Sequence, residues 1–213
     1  MLASLVGLLL AGVTDTIIML PQPDTVGKVR VEQALLHRRS WRDYNSESLS
    51  LGQLGQVLWA AQGRTSASGG RTAPSAGATY PIEVFVVAGR VEGLTPAVYH
   101  YEGREHALRL ARADDVRVRL SEAAFNQTCI QAAAFTLVLA ADYARTAARY
   151  GERSTRYVDM EAGHVGQNVY LQCEALGLGT VAVGAFQDTL VKKLTGSSAD
   201  PLYLMPVGRP GRE

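Results

Sequence analysis

Residues 161–186, EAGHVGQNVYLQCEALGLGTVAVGAF, constrain this chain more than any other stretch. Small or apolar residues fall at Ala162, Val165, Val169, Cys173 and Leu176, the spacing of one helix face. Tyr170 and Leu171 widen that face, which predicts a central helix covered on most sides. Gly177 and Gly179 follow, where a helix ends in left-handed backbone. Thr180, Val181 and Val183 then read as a short buried strand, closed by Gly184 and Ala185. A strand ending in small residues lets a flat ligand approach main-chain N–H groups. Taken alone, the unit reads as a packed helix and strand with no ligand; the rest of the chain raises the functional reading.

At 213 residues the chain is expected to form one domain, 1–213, with a full core. Residues 1–12 are apolar but lack a basic start, and Asp15 interrupts the run before it can span a bilayer. Residues 1–30 are expected to be an N-terminal arm packing on the body or on a partner subunit, with an atypical signal segment as the alternative. The cytoplasm is the default location. A formal net charge of +1 provides no field for nucleic acid or an anionic membrane, so any phosphate site must be a local cluster. Cys129 and Cys173 lack a CxxC partner, and the 4 histidines form no HExxH, so no metal site is expected.

Pattern and turn chemistry predict a strand at 16–20, a helix at 31–37, and a helix from Leu51 through Ala61 capped by Ser50. A loop at 63–73 leads through a helical turn at 74–78 to a strand at 83–88. A hairpin around Gly103 joins strands at 98–101 and 107–110. One helix at 116–134 precedes a buried strand at 135–140, and 141–154 is helical or irregular. After the central unit come a short helix at 190–194 and a last strand at 202–207. Strands and helices in uneven order predict an α+β fold.

Three stretches have ligand character. In Arg38-Arg39-Ser40-Trp41-Arg42, an extended backbone points Arg38, Ser40 and Arg42 the same way, and two guanidinium forks and a hydroxyl suit a phosphate and a sugar chain. The alternative is a basic helix C-terminus favoured by the macrodipole. In Pro74, Ser75, Ala76, Gly77 and Ala78, small residues let backbone amides meet the edge of a heterocycle; the alternative is a turn before a strand. In the tail, Gly208 and Arg209 end a strand where a cation reaches an anion or is solvated. The glycines of GLGTVAVG follow a helix and open a strand, the reverse of a dinucleotide fingerprint, and there is no GxxxxGK. Side-chain arginines without either loop point to a mononucleotide such as FMN.

The order RRSWR, RTAPSAGATYPIEVFVV, YHYEGREHAL, EAGHVGQNVYLQCEALGLGTVAVGAF and PVGRP resembles the FMN-dependent nitroreductase superfamily, and more narrowly its SagB-type dehydrogenase branch. The resemblance implies a nitroreductase-like α+β fold, a central mostly antiparallel sheet flanked by helices, and an intertwined homodimer with FMN at the subunit interface. It implies that Arg38, Arg39, Ser40 and Arg42 hold the phosphate and ribityl chain, and that Gly208 and Arg209 complete that site. It further implies that the 74–78 stretch meets the flavin ring from the partner subunit, and that Val183, Gly184 and Ala185 present backbone N–H groups to flavin N5. NAD(P)H is a candidate donor; a nitroaromatic, a quinone or a peptide-derived heterocycle is a candidate substrate. Azoline-oxidising relatives use a Lys-Tyr pair for proton transfer, acting beside a cyclase. Here Arg156-Tyr157 stands in the corresponding stretch, with Tyr157 either the acid–base group or a packing aromatic. Arginine is a poor base, which weighs against azoline oxidation. A non-catalytic flavin-binding protein is the reading from another class.

Overall fold

The computed structural model describes residues 16–211; the first half of the expected N-terminal arm lies outside them. A seven-stranded sheet has the order β1-β4-β3-β2-β5-β7-β6. Its strands are β1 (Ile17–Met19), β2 (Ile82–Ala88), β3 (Val98–Glu102), β4 (Ala107–Arg112), β5 (Phe135–Ala141), β6 (Gly179–Thr180) and β7 (Asp200–Gly208). Each neighbouring pair is antiparallel. The helices are α1 (Val31–His37), α2 (Leu51–Gln62), α3 (Arg117–Ala123), α4 (Thr128–Ala132), α5 (Tyr143–Tyr150), α6 (Ser154–Ala175) and α7 (Asp188–Thr195). Among the described residues no helix is long and apolar enough to cross a membrane.

Side-chain alternation splits the core into two layers. From β2, Val84, Val86 and Ala88 turn toward α2 and α6, where Leu54, Leu58, Val165 and Val169 are buried. Phe85 and Val87 turn the other way, onto Leu120, Ile130 and Val191 of α3, α4 and α7. The sheet is therefore covered on both faces, and β5 is buried along its whole length. Ser50 caps α2 as the sequence indicates, accepting from Gln53 N at 3.1 Å while Gln53 Oε1 accepts from Ser50 N at 3.0 Å.

Three elements differ from expectation. The strand read over Thr180, Val181 and Val183 is paired only at Gly179–Thr180, with Val183 in an isolated bridge to Leu204. The helix expected over 116–134 is two helices, because Phe125 and Asn126 adopt φ of 57° and 60°. Ser121 Oγ donates to Gln127 O at 2.9 Å and closes the bend. The central helix starts at Ser154 instead of Glu161, after Gly151 at φ 55° ends α5. Tyr157 thus lies within the first turn of α6 and not in a loop ahead of it. At the other end, Gly177 takes φ 65° as the glycine cap predicts.

Candidate functional site

Three backbone segments run side by side at the C-terminal end of α6. Ser40 pairs with Thr180 in a parallel bridge, and Trp41 N donates to Thr180 O at 2.9 Å. Gly179 and Thr180 pair in turn with Gly208 and Val207. The close approach requires glycine: a Cβ on Gly179 would lie 2.7 Å from Trp41 Cβ, and one on Gly208 would lie 2.9 Å from the Tyr44 ring. The first and third sequence-predicted stretches therefore meet the strand that follows the central helix.

Tyr170, reaching out from α6, ties this corner together. Its hydroxyl accepts from Ala182 N at 2.8 Å and lies 3.0 Å from Ser40 Oγ. The Arg38 guanidinium lies over its ring, 5.3 Å from the centroid. Trp41 packs on the core, while Ser40 and Arg42 are exposed. Neither Arg38 nor Arg42 has a carboxylate partner among the described residues. Arg39 instead donates back to Leu36 O and Arg38 O at 3.0 and 2.9 Å, serving the end of α1. Arg209 is also engaged: its Nε lies 2.7 Å from Glu47 Oε2.

Beyond Thr180, Val183 exchanges two 2.9 Å hydrogen bonds with Leu204 and is buried. Gly184 and Ala185 are exposed, and their N–H groups make no hydrogen bond among the described residues. These are two free donors on a segment anchored at Val183, a few residues beyond Thr180, where the 38–42 segment pairs. An anionic, hydrogen-bond-accepting ligand that approaches closely fits this arrangement, and FMN has both properties.

The 74–78 stretch lies elsewhere in the same chain. Pro74, Gly77 and Ala78 are exposed. Gly77, Ala78 and Tyr80 hold φ of 59°, 54° and 45°, a strained turn with two non-glycine residues. Ser75 Oγ accepts from Tyr80 N at 2.9 Å, and Thr79 Oγ1 meets Thr146 Oγ1 at 2.9 Å. From α5, Arg149 Nη1 donates to Gly77 O at 3.1 Å, and a Cβ on Gly77 would sit 2.7 Å from the Tyr150 hydroxyl. Tyr157 is half-buried and packs edge-on against Tyr150, ring centroids 5.1 Å apart. The phenol against the turn is thus that of Tyr150. Behind the turn sits Glu161, 2% exposed; burial raises its carboxyl above the usual range, opposed by Ser75, Gln62, Arg71 and His164.

Glu161 and Tyr170 are nine residues apart on α6. At about 100° and 1.5 Å per residue they face opposite sides, roughly 13 Å apart along the axis. The 38–42 corner and the 75–78 turn therefore flank α6 on opposite faces. Sequence reasoning found both patches but not Tyr170, Arg149, Tyr150 or Glu161. Tyr170 and Glu161 carry only a helical-spacing signal. Nothing along the chain links residue 150 to residue 77.

A protein of Methanocaldococcus jannaschii that bears the name nitroreductase is 45% identical over 187 residues, covering 88% of this chain and 94% of its own. The trifolitoxin operon protein TfxC of Rhizobium leguminosarum is 25% identical over 213 residues, covering 92% of this chain and 59% of its own. The crystal structure of a nitroreductase-like protein from Ralstonia eutropha superimposes with a TM-score of 0.81 at 29% identity, covering 95% of this chain and 93% of that one. The family model described as the nitroreductase family matches residues 35–209, nearly all of the fold described above, and the chain belongs to that family.

Proposed function

We propose that the chain is an FMN-dependent oxidoreductase that passes hydride through the flavin from a reductant such as NAD(P)H to an organic acceptor. The observation that carries this reading is the corner where the 38–42 segment, with Arg38 and Arg42 lacking acid partners, pairs with Thr180 on the same segment that leads to the free N–H groups of Gly184 and Ala185. The flavin supplies the two-electron chemistry; the protein supplies position and charge. Arg38, Ser40 and Arg42 would hold the phosphate and ribityl chain, and the 184–185 amides would orient the ring edge. Tyr170, fixed by Ala182 N–H, keeps Ser40 and Arg38 in place.

The 75–78 turn completes this site when supplied by a second copy of the chain, because in one chain it faces the other side of α6. A homodimer also accounts for the exposed apolar side chains of Val26, Val29, Val31, Leu35 and Leu36. Val29 and Val31 line a groove of about 900 Å³ between the 22–34 segment, α2 and α6. On this reading Tyr150 and Tyr157 stand behind the turn, and the Tyr150 hydroxyl is the nearer proton carrier.

The likeness to a trifolitoxin operon protein favours a second reading within the same chemistry, a SagB-type dehydrogenase acting on a peptide-derived heterocycle beside a cyclase partner. Anaerobic addition of NADH or NADPH to the yellow protein, followed by air, tests the main reading. Bleaching and return of colour are expected. Colour that no hydride donor bleaches supports a non-catalytic flavin binder, whereas oxidation of an azoline peptide only with a cyclase present supports the second reading.

A further inference from the structure

Ahead of the strained turn, the 63–72 loop folds back on itself as a small antiparallel ladder. Thr65 N donates to Gly70 O at 2.8 Å, and Thr72 N donates to Gly63 O at 3.0 Å. Between those two bonds Arg64 and Arg71 stand directly opposite each other in an isolated antiparallel bridge. This is the pair without its own backbone bonds, in which both side chains leave from one face and start closest together. Like charges in that position repel and cost the fold stability.

An acid between the two would remove the cost, but among the described residues neither arginine forms an ion pair. Glu161 is near enough to influence the Arg71 charge, yet its Oε1 is left without a hydrogen-bond partner. A third cation adds to the excess. Arg104, exposed in the turn between β3 and β4, lines the same cavity of about 290 Å³ as Arg64 and Arg71, with Tyr80 as a further wall. Its guanidinium has neither an ion pair nor a hydrogen bond among the described residues. The neighbouring Glu105 lines an adjoining cavity and not this one.

The two opposed arginines are fixed by neutral partners. Arg71 Nη1 donates to Gln62 Oε1 at 3.1 Å, and its guanidinium lies over the Tyr80 ring, 4.6 Å from the centroid. Arg64 Nε donates to Ser66 O at 2.8 Å, and its Nη2 donates to Ala67 O. A guanidinium carries more N–H groups than these bonds use. Cationic forks held in place, with donors to spare and no acid among them, match the needs of an oxyanion, which cancels the repulsion and accepts from each fork.

We propose that this cavity recognises an oxyanion, a carboxylate or phosphate, carried by a small organic substrate, with Arg64, Arg71 and Arg104 as its donors. Tyr80 belongs to the turn assigned above to the flavin, so the inference rests on that reading and deepens it by making the substrate anionic. The oxyanion belongs to the organic acceptor or to the hydride donor, where the extra ribose phosphate separates NADPH from NADH.

Calorimetric titration of the purified protein tests this without turnover. Two matched pairs of probes are titrated: para-nitrobenzoate against para-nitrobenzamide for an acceptor, and NADPH against NADH for a donor. In wild type the more anionic member of at least one pair should bind about tenfold more tightly than its counterpart, the scale of a hydrogen bond to a charged group. Arg104→Gln should lower that preference by about tenfold, and Arg71→Gln should do the same. Arg71→Lys, which keeps the charge and loses the fork, should restore only part of it. Loss of preference within the nitrobenzoate pair assigns the oxyanion to the acceptor, and loss within the nucleotide pair assigns it to the donor. A preference unchanged in both glutamine variants, or absent from wild type in both pairs, overturns the proposal. Should Arg71→Gln fail to fold, Arg104→Gln decides alone, because that exposed side chain holds no other element. If the protein takes up no flavin, the flavin reading falls, while the same titrations still decide whether the cavity takes an oxyanion.

Discussion

Arg38 and Arg209 bring the same charge to neighbouring segments, but they are held differently. Arg38 stacks on Tyr170 with no acid beside it, whereas Arg209 lies 2.7 Å from the Glu47 carboxylate. An arginine with no acid partner can give its whole fork to a phosphate; one already paired must first lose its partner. Arg38→Ala is therefore expected to weaken FMN at least tenfold, from the roughly 1.5–3 kcal/mol of a hydrogen bond to a charged group, and to weaken riboflavin much less. Arg209→Ala should show a smaller difference between the two flavins. Titration of both flavins by fluorescence quenching checks this; equal losses for Arg38→Ala would mean that the side chain supports the fold and not the phosphate. The two tyrosines separate in a similar way. Tyr150 presents its hydroxyl to Gly77, and Tyr157 reaches the turn only through the Tyr150 ring. Tyr150→Phe should retain flavin and lose about 10²–10⁴ in turnover with a substrate that needs a proton. Tyr157→Phe should leave turnover nearly unchanged, and the reverse result would return the proton to Tyr157. The sequence marks Tyr157 by its place ahead of the 161–176 pattern. It cannot show that Gly151 turns the chain so that residue 150 meets residue 77.

At the scale of elements, the helix–glycine–strand unit sets where everything else can lie. The strand after α6 is only two paired residues long, yet it holds Ser40 on one edge and β7 on the other. Gly179 makes this possible, since a side chain there would overlap Trp41 Cβ and not a flexible tip. Gly179→Ala should lower stability by the roughly 1–3 kcal/mol typical of overpacking and should weaken FMN as well, because the 38–42 segment is pushed away. Thermal melting and flavin titration check this, and a variant that melts and binds like wild type would show that the three segments need not be so close. This unit was legible in the sequence because helical spacing and a glycine pair carry local information. So were the Ser50 cap and the longer strands of the sheet, while β6 is shorter than the strand expected through Val183. The bend at Phe125 and Asn126 was not: phenylalanine in left-handed backbone is unfavourable locally and is held by contacts distant in sequence, such as Gln187 N donating to Ala123 O at 2.8 Å. The start of α6 was missed for a related reason, as its first turn has no side-chain cap.

For the whole molecule, the arrangement around α6 carries the functional argument. The cationic corner beside Tyr170 and the strained turn beside Glu161 face opposite ways, so a ligand touching both needs two chains. The exposed apolar side chains of the 26–36 region give a second copy somewhere to bind. Interfaces of obligate dimers bury about 2,000 Å² or more, and light scattering at micromolar concentration should report a dimer. A monomer that still holds flavin would mean that one chain builds the whole site. The sequence names both patches of the proposed site without revealing that a helix separates them, because side-chain spacing fixes a face but not what lies across it.

The central claim is that this fold holds FMN, and it is tested most directly by identifying the flavin itself. Protein purified from cells, denatured and chromatographed, should release FMN in an amount approaching one per chain. On this proposal the arginine corner would hold a single phosphate, and the sequence has no dinucleotide loop to hold an adenylate. Stoichiometric FAD, or a colourless folded protein that takes up no FMN when it is supplied, would contradict the account.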